Sequence, residues 1–252
     1  HCSVRRQRQM CIRDRSESLE FELTKAQKKV LKEIRNDLKS KKPMNRLLHG
    51  DVSSGKTIVA ILSSAIAVGN NFQVAIMAPT EILARQHYLS FIGQMNKAKV
   101  TCALLIGNMK KKERTSIISG IKSNKIQIII GTHALIQEDV KFKKLNLVII
   151  DEQHRFGVNQ RASLVAKGEN PNFLAMTATP IPRTLSITYN GDMELSIIDE
   201  LPLNRIPITT KVINPDRLKR VYSFMAKQVN EGKQAMVIYP LVEDSEKSDL
   251  AA

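Results

Sequence analysis

The stretch Arg46 to Thr57, RLLHGDVSSGKT, decides the fold. Leu47 and Leu48 end an apolar run of strand type, Gly50 to Thr57 match G-x-x-x-x-G-K-[ST], and Ile58 to Leu62 open an apolar helix. Strand, loop and helix in that order make a phosphate-binding loop. A loop that wraps a polyphosphate must turn several backbone N–H groups toward anionic oxygens with no side chain in the way. Gly50 and Gly55 give that freedom, and Asp51, Val52, Ser53 and Ser54 form the cradle between them. Lys56 would reach the outer phosphates as a point charge. The Thr57 hydroxyl would ligate Mg²⁺, and the helix N-terminus adds partial positive charge. Taken alone, the match also fits a glycine-containing turn with a chance lysine, so the partner motifs decide.

Composition narrows the classes. The 252 residues, 42% of them apolar, can fill a core, and 39 Lys and Arg against 24 Asp and Glu give a net charge of +15. Such a balance favours a polyanionic partner such as nucleic acid, with a solvated basic surface as the alternative. No run of about 18 apolar residues exists, and the basic N-terminus lacks the apolar centre of a signal peptide. A cytoplasmic protein with no membrane partner is expected. Cys2, Cys11 and Cys102 have no metal-ligand spacing, and an odd count fits a reducing compartment. Residues 1–18 carry five arginines and one aspartate without periodicity and read as an unstructured or foreign basic tail.

Around the loop, apolar runs alternate with amphipathic stretches. Thr24-x-x-Gln27 reads as a helix capping box, followed by the stripe Val30, Leu31, Ile34 and Leu38. Gln27 could also use its amide to read the N6 and N7 edge of adenine. Strands are expected at 74–78, 100–106, 126–131, 145–150 and 172–176, with helices at 81–95 and 110–123. Runs such as VAIMA and LNLVIID read as strands buried on both faces, hence an α/β fold with a mainly parallel sheet and helices on both sides. Ligands collect beyond the carboxyl ends of such strands.

Each remaining motif falls at one of those ends. After Val148 to Ile150 comes DEQH: Asp151 would sit on the Mg²⁺ through water and Glu152 would orient and polarise an attacking water, with Gln153 and His154 linking the γ-phosphate to a neighbouring segment. TATPIPRT follows the next strand, and Thr177, Ala178 and Thr179 are placed to sense that phosphate. The loops APTEILARQH and GTHALI offer Thr80, Arg85, Thr132 and His133 to the phosphates of a nucleic-acid strand. Each of these loops separately is also compatible with a plain turn, and the cluster Lys110 to Lys112 with Arg114 is equally a solvated helix end.

Together, TKAQ, GDVSSGKT, APTE, GTH, DEQH and TATP resemble the first RecA-like lobe of a superfamily 2 helicase, a phosphate-loop NTPase fold. More narrowly, MNRLLHGDVSSGKT, DEQHRFGVNQR and MTATPIPRTL resemble the RecG family of ATP-dependent DNA helicases. The RFGV element is shared with the transcription-repair coupling translocases. The resemblance implies ATP and Mg²⁺ as cofactors, catalysis by Lys56, Asp151 and Glu152, adenine contact by Gln27, and double-stranded and branched DNA as partner in repair and recombination. It also implies a monomer, a lobe over 19–204, and over 205–252 a linker and the opening β-α-β of a second RecA-like lobe, with Ile208 to Ile213, helical Arg217 to Asn230 and the strand Gln234 to Tyr239. A wedge domain and most of the second lobe, with its arginine finger, are expected to lie outside this chain, so that it turns ATP over very slowly. Serine at 53 departs from the glycine usual in the family and would carry strain if that position needs positive φ. A nucleotide-dependent binding module without turnover is the second class of reading. A small-molecule phosphoryl transferase is the third, and it leaves TATP, GTH and the charge unexplained.

Overall fold

The apolar runs become strands because both of their faces find cover. The computed structural model describes residues 22–95, 100–179, 193–200 and 208–238. Its chain falls into two compact units, residues 1–205 and 206–252. The first holds a seven-stranded, wholly parallel sheet: β1 (Asn45–Gly50), β2 (Gln73–Met77), β3 (Cys102–Leu105), β4 (Ile128–Gly131), β5 (Leu145–Ile150), β6 (Asn172–Thr177) and β7 (Glu194–Ile198), in spatial order β3-β4-β2-β5-β6-β1-β7. Helices α1 (Lys25–Asp37), α2 (Lys56–Gly69), α3 (Glu81–Met95), α4 (Lys111–Lys122) and α5 (Val158–Val165) connect them.

Strand alternation divides the core in two. Val74 and Ile76 of β2, Ile128 and Ile130 of β4, and Leu147 and Ile149 of β5 face α1, α2 and α3. Ala75, Met77, Ile129, Val148 and Ile150 face the other way, against Ile121 of α4 and Leu164 of α5. Helix α2 is buried along almost its whole length, and its polar Ser63 and Ser64 are tolerated there because each hydroxyl donates to the carbonyl four residues back, at 2.7 Å. Every expected strand of this unit forms, trimmed or shifted by one or two residues at its ends.

Strand β7 is an addition that the sequence reading lacks. It pairs in parallel with β1, Arg46 opposite Glu194 and Gly50 opposite Ile198. Arg46 fixes it there: the guanidinium, 5% exposed, donates to Asp37 of α1 at 2.7 Å, to Ser196 at 2.9 Å and to Glu194, with Glu33 3.5 Å away. One buried cation thus joins α1, β1 and the edge strand. Just beyond β7, the Glu200 carboxylate accepts the Ala26 N–H at 3.0 Å in the first turn of α1, where a negative charge is favoured.

The second unit contains a short 3₁₀ turn, Pro215–Arg217, started by the Asn214 side chain, and α6 (Leu218–Asn230). The helix falls where the sequence puts it. The two strands of the β-α-β reading do not form among the described residues: 208–213 and 234–238 carry no strand pairing. A strand needs a neighbour to take its N–H and C=O groups, and none is present among the described residues of this unit. Residues 1–21, including the basic tail, lie outside the described part.

The Arg46 cluster sets a stability expectation. Arg46→Ala should lower the unfolding free energy by about 2–3 kcal/mol, less than the loss of a fully buried pair because Glu33 and Glu194 reach water. Urea unfolding measures it, and a loss near zero would show that the cluster does not hold the edge strand.

Candidate active site

All the motif loops lie at one edge of the sheet because parallel strands end on the same side. The phosphate loop follows β1, the APTE loop β2, the GTH loop β4, Asp151 β5 and the TAT loop β6. Between β1 and β5 lies only β6, so the phosphate loop and the acidic pair are two strand spacings apart, about 10 Å. A lysine side chain bridges much of that distance.

Lys56 opens α2 and bends back into its own loop, its Nζ donating to the Gly50 carbonyl at 2.6 Å and the Asp51 carbonyl at 2.9 Å. Burial pushes its pKa below the ordinary 10.5, while the charges of Asp151, then Glu152, then Asp51 act in the opposite direction. The ammonium group therefore feels both members of the acidic pair. Thr57 follows in the first turn of the same helix. Ser53 has φ +65° and Gly55 φ +89°, left-handed positions flanking the buried Ser54, whose Oγ has no hydrogen-bond partner. Alternating backbone of this kind turns successive N–H groups into a concavity suited to an anion. Serine at 53 does occupy positive φ, and its backbone carries the corresponding strain.

Gln27 has two attachments. Its carbonyl accepts the Thr24 N–H at 3.0 Å while Thr24 Oγ1 accepts the Gln27 N–H at 3.2 Å, the capping box expected from TKAQ. Its amide nitrogen also donates to the Ser54 carbonyl at 2.9 Å, tying α1 to the phosphate loop. Position 55 stands at φ +89°, which L side chains rarely adopt, and a Cβ there would come within 2.2 Å of that nitrogen and displace the Gln27 amide.

The acidic pair is tightly held. Asp151 is 9% exposed; Oδ1 accepts the Glu152 N–H at 3.1 Å and Oδ2 lies 2.7 Å from His87 Nε2. Glu152 itself is left-handed, φ +48°, a strained turn that ends β5 sharply. His154 Nδ1 lies 3.4 Å from the Glu152 carboxylate and 3.4 Å from Thr179 Oγ1, so the structure brings DEQH and TAT together. Thr177 Oγ1 accepts the Thr179 N–H at 3.1 Å across Ala178. Gln153 is buried, with Arg161 Nη1 3.3 Å from its carbonyl. Pro180 to Thr184 of the same motif lie outside the described residues.

The loops assigned to nucleic acid are less uniform. Thr80 caps α3 by accepting the Leu83 N–H at 3.3 Å and is exposed, as are Arg85 and His133. Thr132 is 2% exposed, its Oγ1 without a partner. Arg114 is taken up by Gln137 and Asp139, whereas Lys110, Lys111 and Lys112 are exposed. A cavity of about 860 Å³, lined by Arg35, Lys39, Lys42 and Asn172 among others, opens at the opposite, amino-terminal end of the strands and is not part of this site. Cys102 is equally apart from the chemistry, because burial pushes its thiol up to about 11 and keeps it protonated.

Sequence reading missed His87 and Arg161. The signal for His87 was available: Ala84, His87, Phe91 and Met95 form the buried stripe of α3, and one polar residue on such a stripe needs a partner. For Arg161, nothing in VNQRASLV distinguishes it from a solvated helix cation.

Fold and site define a nucleotide-dependent motor domain: residues 24–187 match the DEAD/DEAH box helicase family, and the chain belongs to it. Within that family it is similar to the ATP-dependent DNA helicases RecG of Thermotoga maritima, 50% identical over 91% of this chain and 30% of that protein, and of Bacillus subtilis, 50% identical over 92% of this chain and 34% of that protein. A solved structure of RecG bound to a three-way DNA junction superposes with a TM-score of 0.81 at 47% identity, covering 91% of this chain and 31% of that one. The seven-stranded sheet is thus a RecA-like helicase fold. The chain spans about a third of the length of these relatives.

Loop geometry makes opposite demands at two positions. Gly55→Ala should cost about 2–3 kcal/mol, from positive φ and the collision with Gln27, whereas Ser53→Gly should be neutral or stabilising by up to about 1 kcal/mol. Denaturant midpoints of the two variants check this, and equal effects would contradict the loop conformation.

Proposed function

We propose that this chain is the ATP-binding motor lobe of a RecG-type DNA helicase that remodels branched DNA during recombination, repair and stalled-fork processing. The observation that carries the reading is the convergence of Lys56 with Asp151 and Glu152 at one sheet edge. The relatives' RecG name favours this type over the transcription-repair coupling translocases. A relative seen on a three-way junction supports branched DNA as the partner of the whole protein.

In this reading Gly50 to Thr57 cradle the triphosphate, Lys56 exchanging its two carbonyl contacts for phosphate oxygens. The left-handed backbone at 53 and 55 and the orphaned Ser54 hydroxyl fit an anionic guest. Thr57 and Asp151 would hold Mg²⁺, which when bound neutralises phosphate charge. Glu152 orients and polarises the attacking water, with His154 Nδ1 3.4 Å from its carboxylate. Gln27 keeps a second amide N–H and a second carbonyl lone pair with which to meet adenine. Thr179 and His154 link that chemistry to the TAT loop, and Thr80, Arg85, Thr132 and His133 serve the nucleic-acid side.

An arginine finger supplied by another lobe is worth about 10³–10⁵ in rate. This chain by itself is therefore expected to bind nucleotide and to turn it over slowly, without separating strands.

Two measurements check the assignment. Titration with a fluorescent ADP should give saturable, Mg²⁺-sensitive binding that Lys56→Ala weakens at least about tenfold, the loss of a charge-assisted contact; equal binding by both would remove the site. In a chain extended to the length of its relatives, Glu152→Gln should abolish DNA-stimulated phosphate release while nucleotide binding is retained.

A further inference from the structure

Helix α3 buries Ala84, His87, Phe91 and Met95 along one stripe, where an aliphatic residue at 87 would pack without a polar cost. His87 is 7% exposed, and its Nε2 lies 2.7 Å from Oδ2 of Asp151. An ionised carboxylate only accepts hydrogen bonds, so the proton between them belongs to Nε2. With Oδ1 accepting the Glu152 N–H, both oxygens of Asp151 are tied, one to its own turn and one to a different helix. The carboxylate cannot swing without breaking one of these two contacts. Helix α3 packs on β3 and β4 and begins at Glu81, just after Thr80, and its exposed side carries Arg85, two residues before His87.

We propose that His87 is the positioning residue for Asp151: through its Nε2–H, α3 fixes the carboxylate so that its remaining lone pairs are set to take a divalent cation. The setting is thereby linked to the helix that presents Arg85 to solvent. This rests on the reading of Asp151 as a cation ligand. Hydrogen bonds to a ligating carboxylate set its orientation and are worth much of the affinity of the site.

The test uses this chain, a fluorescent ADP and Mg²⁺. His87→Leu should raise the Mg²⁺ concentration needed for half-maximal response about tenfold or more, while affinity in EDTA stays within about twofold. His87→Gln, whose amide N–H falls near the position of Nε2, should return the Mg²⁺ response to within about threefold of the parent. An unchanged Mg²⁺ response in His87→Leu, or a His87→Gln as deficient as His87→Leu, overturns the proposal. Independently of either variant folding, ¹⁵N-histidine spectra of the unsubstituted chain should show His87 protonated at Nε2, and a bare Nε2 overturns it. Lys56→Ala separates the two levels: nucleotide binding equal to the parent means the site reading itself has failed. Binding lost in Lys56→Ala beside an intact Mg²⁺ response in His87→Leu means that only the positioning has failed.

Discussion

Two strands far apart in sequence end at the same edge of one parallel sheet, and the electrostatic coupling of Lys56 to Asp151 and Glu152 exists because of it. Neither group is well placed alone. The lysine gives up hydration and rests on two carbonyls; the aspartate gives up hydration and rests on an imidazole and a backbone N–H. Buried charges persist only where such partners exist. Here Gly50 at the end of β1 and Asp51 in its loop hold the lysine, while His87 of α3 and the Glu152 N–H hold the aspartate.

The rest of the first unit serves to hold that edge in place. Gln27 couples α1 to the phosphate loop through the Ser54 carbonyl. Arg46 draws α1, β1 and β7 together on the other side of the loop strand. Together with Glu200 on the first turn of α1, these contacts tie the first helix to the loop after β1, although it lies outside the central sheet. Ser53 and Gly55 in the phosphate loop and Glu152 in the acidic pair stand at positive φ, as do Asn71, Asn124 and Asn170 elsewhere in the first unit.

Much of this was legible in the residues. The runs VAIMA, IQIIIG and LNLVIID announce strands covered on both faces, and a glycine-bounded loop between a strand and a helix announces the phosphate site. Strand β7 was not legible, because ELSII is short and half-exposed and becomes a strand only by pairing with β1. The same physics works in reverse at 208–213 and 234–238, where apolar residues read as strands but find no neighbour among the described residues. His87 stands out locally as the polar residue on the buried stripe of α3, but its partner lies 64 residues away and no local pattern names it.

The central claim is that Lys56 and Asp151 share one field. It is tested most directly by NMR titration of the Lys56 side chain in the parent and in Asp151→Asn. Asp151 is the strongest charge opposing the desolvation of that lysine, so removing its charge should move the Lys56 pKa further below the parent value. An unchanged Lys56 titration in Asp151→Asn would contradict the account.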